Sequence, residues 1–176
     1  MAIPVQEDKP LRAGQTVTVT QSFIRPNNAT AYAAGDVVTT SATADVSVLI
    51  PFAGMARNPG GGGVIESALF IDSVAAATKP DLELYLFDTQ NITLEADNVA
   101  WAITDANIMF CVGVIPFATG AFKTAGANGV IAVNSVGLAY NCASSSTSLY
   151  GILIARNAYT PAALEQFTFR LQALLD

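Results

Sequence analysis

The chain has 176 residues, of which 52% are hydrophobic and only 12% are charged, and it contains no histidine. This length fits one domain with an extended arm. The net charge of −6 disfavours direct nucleic-acid binding, which needs a basic face, and no apolar run is long enough to span a membrane.

The N-terminus is predicted to form an extended arm over residues 1–15, followed by one β-sandwich domain over residues 16–176. The arm is polar, contains Pro4, Pro10 and Gly14, and shows no periodicity. Its first residues lack the basic start and apolar stretch of a signal peptide. Two interpretations stay open: a leader without fixed structure, or an arm that becomes ordered against a neighbouring subunit.

Apolar and polar residues alternate from 16 to 23, which predicts the first strand with Val17, Val19 and Phe23 on one face. A short strand is expected over 37–39 and another over 46–53. The glycine-rich stretch 54–63 is predicted as a loop between strands, because no Gly-Lys-Ser/Thr sequence of a phosphate loop follows it.

Two further strands are predicted over 64–74 and 82–88. In the second, three leucines share one face, which leaves Tyr85 and Phe87 on the nominally outer face. A helical turn is expected at 105–107, and a strand over 108–117.

The C-terminal third is predicted to contain strands over 130–133, 136–140, 149–156 and 166–175, with a short helix or turn at 160–164. The total is nine to ten strands with almost no helix. Turn signals recur about every ten residues, which indicates an all-β fold. We therefore predict an antiparallel, jelly-roll-like β-sandwich.

Catalytic and metal-binding chemistry has little support in the sequence. Without histidine, the residue that most often moves protons near neutral pH, a hydrolase would depend on paired carboxylates. Loop carboxylates could alternatively hold calcium. The hydrolase candidates are Asp81, Glu83, Glu95, Asp97 and Asp105, and the calcium candidates are Asp88, Asp97 and Asp105. No enzymatic activity, cofactor or metal is expected.

Cys111 and Cys142 are expected to be buried free thiols, with a disulfide as the alternative.

The aromatic residues leave a carbohydrate-binding β-sandwich module open as a second function. Such modules stack sugars on exposed aromatic rings. The candidates are Tyr85, Trp101, Tyr140, Tyr150 and Tyr159. Packing in a core or an interface is the favoured role, because large aromatic residues dominate both.

Several segments resemble small structural virion proteins of tailed bacteriophages. They are residues 82–88 (LELYLFD), 97–101 (DNVAW), 104–106 (TDA), 113–115 (GVI) and 149–156 (LYGILIAR) with Tyr159-Thr160-Pro161. The similarity extends over roughly residues 64–175. It implies a structural virion protein without an active site, most specifically a capsid decoration (cement) protein on the head. The same motifs also fit a tail or neck component, and the carbohydrate-binding alternative would then be a phage tail or receptor-binding component.

The resemblance also implies partners and a location. We expect a homo-oligomer, specifically a trimer, that binds the major capsid protein on the capsid exterior after assembly in the host cytoplasm. A surface low in charge suits this role, because the cores of interfaces are depleted in charged residues. The residues predicted to lie at the interface are Pro4, Gln6, Lys9, Pro10, Arg12, Arg57, Tyr85 and Phe87.

Overall fold

The computed structural model describes residues 14–43, 48–74 and 79–176, which form ten β-strands, one short α-helix and one turn of 3₁₀-helix (Thr119–Ala121). The elements are β1 (Gln15–Ile24), β2 (Val37–Val38), β3 (Ile50–Phe52), β4 (Gly62–Asp72), β5 (Leu82–Phe87), α1 (Asp105–Ile108), β6 (Cys111–Phe117), β7 (Lys123–Ala125), β8 (Asn128–Asn141), β9 (Leu149–Ala155) and β10 (Gln166–Leu175).

The strands form two antiparallel sheets packed as a sandwich. The first sheet has the order β1-β10-β4-β8-β7, and the second has the order β2-β9-β5-β6, with β3 also pairing with β9. Six connections carry the chain from one sheet to the other, namely β1 to β2, β3 to β4, β4 to β5, β6 to β7, β8 to β9 and β9 to β10. This interleaving of the two sheets is a jelly-roll-like arrangement, which confirms the predicted antiparallel β-sandwich.

The main core lies between the sheets and follows from period-two alternation. In β10, all five inward positions are buried, from Phe167 to Leu175, as the sequence predicted. Phe70 of β4 lies at the centre of an aromatic group, with its ring centroid 5.2 Å from that of Phe167 and 5.1 Å from that of Phe169. Long uninterrupted alternation therefore fixes which face of each central strand is buried.

A second apolar cluster covers the outer face of the second sheet. Its buried members are Val37, Phe87, Ile92, Leu94, Ile152 and Ile154. The segment between β5 and β6 supplies Ile92, Leu94 and also Trp101, whose ring centroid is 4.7 Å from that of Tyr85 in an edge-on contact. This cover explains why Tyr85 and Phe87 point outward from β5.

Two local predictions differ from the structure. The side chain of Thr104 accepts a hydrogen bond from the Asn107 N–H and so caps α1, which delays the start of the following strand to Cys111. Residues 128–141 form one strand rather than the two predicted, and its pairing with β4 shifts register where Ser135 and Gly137 adopt positive φ angles. The helix or turn predicted over 160–164 is a turn at 163–164.

Two predicted features fall partly outside the described residues. They are most of the N-terminal arm (residues 1–13) and the beginning of the strand predicted over 46–53. Neither described cysteine forms a disulfide: Cys142 is buried, and Cys111 is half-buried. Among the described residues, no helix is long and apolar enough to cross a membrane.

Candidate interaction surfaces

One end of the sandwich buries a group of polar and charged side chains, here called the polar cluster. Its members are Arg25, Tyr32, Asp72, Asp97, Tyr159 and Glu165. Arg25 directly follows β1, Glu165 directly precedes β10, and Asp72 ends β4, so the antiparallel register of these three strands brings them to the same end. A backbone hydrogen bond shows the same proximity: the Arg25 N–H donates to the Glu165 carbonyl at 2.9 Å.

Arg25 and Asp97 form the charged centre of the polar cluster. Arg25 Nη2 lies 2.9 Å from Asp97 Oδ2, and both side chains are almost completely withdrawn from solvent. The Tyr32 hydroxyl donates to Asp97 Oδ1 at 2.5 Å and accepts from Arg25 Nε, and the Thr39 N–H also donates to Asp97 Oδ1 at 3.0 Å. Both carboxylate oxygens are thus engaged inside the protein, as a buried charge requires.

Asp72 and Glu165 form a carboxyl pair in the same cluster. Burial, followed by the hydrogen bond and the charge of Asp72, raises the pKa of Glu165 to about 8. Burial also raises the pKa of Asp72. Two adjacent carboxyl groups away from water cannot both ionise readily, so the pair retains a proton near neutral pH.

The predicted catalytic and calcium carboxylates do not come together. Glu83 pairs with Arg156 at 2.6 Å, Glu95 accepts from the Ala102 N–H at 3.1 Å, and Asp97 belongs to the polar cluster. Within the described ranges, no group of three or more Asp, Glu, Cys or His side chains could hold a metal ion. These side chains instead join segments of the protein's own fold.

The aromatic residues proposed to stack sugars are also dispersed. The buried Tyr140 donates to the Met55 carbonyl at 2.5 Å, and the buried Tyr159 stacks on Tyr32 with ring centroids 5.0 Å apart. Tyr150 is half-buried on β9. Tyr85 and Trp101 contact each other, so they are the one pair of the five that shares a location among the described residues.

The predicted interface residues have different environments. Pro4, Gln6, Lys9, Pro10 and Arg12 lie outside the described residues. Arg57 is half-buried in the loop between β3 and β4. Tyr85 is half-buried, and its hydroxyl contacts Glu83 and Arg156. Phe87 is fully buried beneath Trp101, so its direct contacts are with its own chain.

The most exposed large apolar side chain of the described residues belongs to the turn between α1 and β6. Met109 is 81% exposed, and the adjacent Phe110 is 45% exposed. Val114, farther along β6, is also exposed. Methionine and aromatic residues are enriched in protein interfaces, so this turn is a candidate docking element.

The sequence alone does not predict that Arg25, Tyr32, Asp72 and Glu165 form a group. The available signal was the placement of two opposite charges beside the two most regular strands, with Arg25 after β1 and Glu165 before β10. Their proximity depends on antiparallel pairing of β1 with β10, and this pairing cannot be deduced from either strand alone.

The sequence matches no protein-family model and no curated protein. Among solved structures, the chain is similar to one from the cyanophage Pam1 capsid asymmetric unit, with a TM-score of 0.40 and 14% sequence identity. The similarity covers 100% of this chain and 93% of that chain.

Proposed function

We propose that this chain is a non-enzymatic structural virion protein, specifically a capsid decoration protein that self-associates as a trimer and binds the major capsid protein. It would act on the capsid exterior after assembly in the host cytoplasm. The jelly roll is an architecture of viral capsid and lectin domains. A fold does not define a function, so the proposal depends on the surface.

The exposed Met109-Phe110 turn is the observation that carries the proposal. These two adjacent side chains expose apolar area to water, and a partner that contacts them would bury that area. The buried charged groups also support a non-enzymatic role. Arg25, Asp97 and Glu165 bind one another or the backbone and so stabilise the fold.

A shell-binding experiment tests this function. Shells assembled from the major capsid protein encoded in the same genome would be incubated with the chain and sedimented, and light scattering would give the mass of the free protein. We expect a trimer that co-sediments at saturable occupancy. A strict monomer at high concentration that does not bind shells would refute the proposal.

Substitutions then test the docking element. Replacing Met109 and Phe110 together by serine should lower shell occupancy at least tenfold. The control is Val99→Ser, because Val99 is also an exposed apolar residue but lies in a different loop. Equal occupancy for the double variant and the control would exclude the turn from the contact.

The arm predicted over residues 1–15 is proposed to anchor the protein to the shell. Deleting residues 2–13 leaves β1 intact, since this strand begins at Gln15. We expect lower shell occupancy with unchanged thermal stability. Unchanged occupancy would remove the arm from the proposal and leave the Met109-Phe110 turn as the docking element.

The contact between Tyr85 and Trp101 keeps a carbohydrate-binding module as a second candidate function. Half-buried aromatic rings beside the charged Glu83–Arg156 pair could recognise a sugar. A glycan array with and without EDTA would separate the two functions. Binding lost on Trp101→Ala would favour the module, and absence of binding under both conditions would eliminate it.

A further inference from the structure

The first sheet ends in an unusually regular edge strand, β1. All ten of its residues pair with β10 without a register shift, from Gln15 opposite Leu175 to Ile24 opposite Gln166. No strand within residues 14–43, 48–74 and 79–176 pairs with the other edge of β1. Such an edge presents a row of unpaired backbone N–H and C=O groups that can pair with another strand.

β1 contains none of the features that normally prevent such pairing. Its sequence, QTVTVTQSFI, has no charged residue, no proline and no glycine. The outward-facing Thr16, Thr18, Thr20 and Ser22 are exposed, and Phe23 on the inward side is half-buried. A long, uncharged and regular edge is the kind that natural proteins rarely leave without a partner.

The other described edges are protected. β7 has three residues and begins with Lys123, β2 has two residues, and β3 contains Pro51. β6 contains Pro116, and its pairing with β5 shifts register near Phe87. The part of β8 beyond β7 is interrupted at Ser135 and Gly137. Short length, proline, charge and bulges all block pairing between edges, so β1 is the exception.

We propose that β1 pairs antiparallel with β1 of a second copy of this chain, across a two-fold axis centred on Thr20. The two five-stranded first sheets then become one continuous sheet through the contact. This deepens the self-association in the proposed function and rests on it. A two-fold contact is isologous, and in a trimeric protein it links one trimer to the next.

The register follows from the side chains. With the two-fold axis at Thr20, the polar residues of both β1 strands lie on the same face of the joined sheet. Thr18 then lies opposite Ser22 of the other copy. This register also places Val17 opposite Phe23, which is a favourable pairing of a β-branched with an aromatic residue. Because β1 is uncharged, the contact brings no like charges together in a chain whose net charge is −6.

Cysteine cross-linking tests the geometry. In a chain with Cys111→Ser and Cys142→Ala, Thr20→Cys places two thiols opposite each other, within the Cα separation that a disulfide requires. The control is Gln172→Cys, because Gln172 is exposed and lies one strand inward, opposite Thr18. Its counterpart in the other copy would be about 20 Å away, because three strand spacings across the sheet combine with an offset of about four residues along the strands.

Under mild oxidation, we expect nearly complete conversion of the Thr20→Cys chain to a disulfide-linked dimer and no dimer from the control. A three-fold axis at Thr20 would leave at least one chain in three unlinked. An oligomer without this disulfide would overturn the inference and leave the proposed self-association intact. A monomer would overturn both.

Charge substitutions test the same register independently. Thr18→Lys with Ser22→Lys places lysine opposite lysine twice across the junction and should weaken self-association at least tenfold. Thr18→Lys with Ser22→Glu places lysine opposite glutamate and should restore it. Equal self-association of both variants, each folded by circular dichroism, would refute β1 pairing.

Discussion

Arg25 and Asp97 are 72 positions apart in the sequence, yet Arg25 Nη2 and Asp97 Oδ2 lie 2.9 Å apart in the interior. The pair connects the end of β1 with the loop that covers the second sheet. Removing ions from water is costly, and attraction and hydrogen bonds inside the protein offset that cost only while both partners remain.

Loss of one partner should therefore destabilise the protein strongly. Arg25→Met leaves the Asp97 carboxylate buried without its counterion, and we expect the free energy of unfolding to fall by about 3–5 kcal/mol. Arg156→Met breaks the partly exposed pair with Glu83 and should cost about 1 kcal/mol or less. Urea denaturation measures both values.

Combining Arg25→Met with Asp97→Leu removes both charges and should recover part of the loss, because two apolar residues can replace a buried ion pair. A single Arg25→Met variant no less stable than Arg156→Met would show that the buried pair contributes little. A double variant less stable than Arg25→Met would show that the hydrogen bonds of Asp97 with Tyr32 and the Thr39 N–H stabilise the protein more than removing the unpaired charge does.

The sequence predicts which face of a strand is buried better than it predicts which strands pair with each other. Alternation in β1 and β10 correctly identified Val19, Phe169 and Leu171 as inward residues, because the side-chain period of a strand is a local property. The pairing of these two strands joins residues about 150 positions apart, and no local pattern encodes it.

The same limit explains the polar cluster. Asp97 was a candidate for hydrolysis or calcium binding because a carboxylate on a loop can serve either. Its actual role depends on Arg25 and Tyr32, which only the tertiary fold brings to it. Phe87 illustrates the reverse case, because its outward direction was predicted and the segment that covers it was not.

Stability should fall as the pH rises through the range from about 5 to 8. The pKa of Glu165 is raised to about 8 in the fold, mainly by burial and then by Asp72, so the native state binds a proton that the unfolded chain releases at lower pH. Arg25 opposes this effect and Tyr159 lies nearby, but burial dominates. One such proton changes the free energy of unfolding by at most about 1.4 kcal/mol per pH unit.

Urea denaturation at pH 5, 6, 7 and 8 measures this slope. Glu165→Gln keeps a hydrogen-bonding side chain without an ionisable group and should flatten the dependence. Glu66→Gln is the control because Glu66 is exposed on β4, and it should leave the slope unchanged. Stability that is constant or rises from pH 5 to 8 would contradict a retained proton in the Asp72–Glu165 pair.

The irregularity in β8 should depend on Gly137. Its φ angle is 65°, and an added Cβ would meet no atom within 4 Å, so only backbone strain opposes a side chain there. We expect Gly137→Ala to lower the free energy of unfolding by about 1–2 kcal/mol. Gly120 has equally open surroundings without a positive φ, so Gly120→Ala should be neutral or slightly stabilising in thermal denaturation. Equal melting temperatures for the two variants would contradict this account.

The segment between β5 and β6, which covers the outer face of the second sheet, should unfold separately from the main core. Trp101 is the one tryptophan of the chain and lies in this cover, so its fluorescence reports on the second cluster. Ile92→Ala removes buried apolar contacts from the cover, and we expect the fluorescence transition in urea to shift to lower concentration than the far-ultraviolet circular dichroism transition. Ile131 lies in the main core, so Ile131→Ala should shift both transitions together. Coincident transitions in the Ile92→Ala variant would instead show that the cover and the sandwich unfold as one cooperative unit.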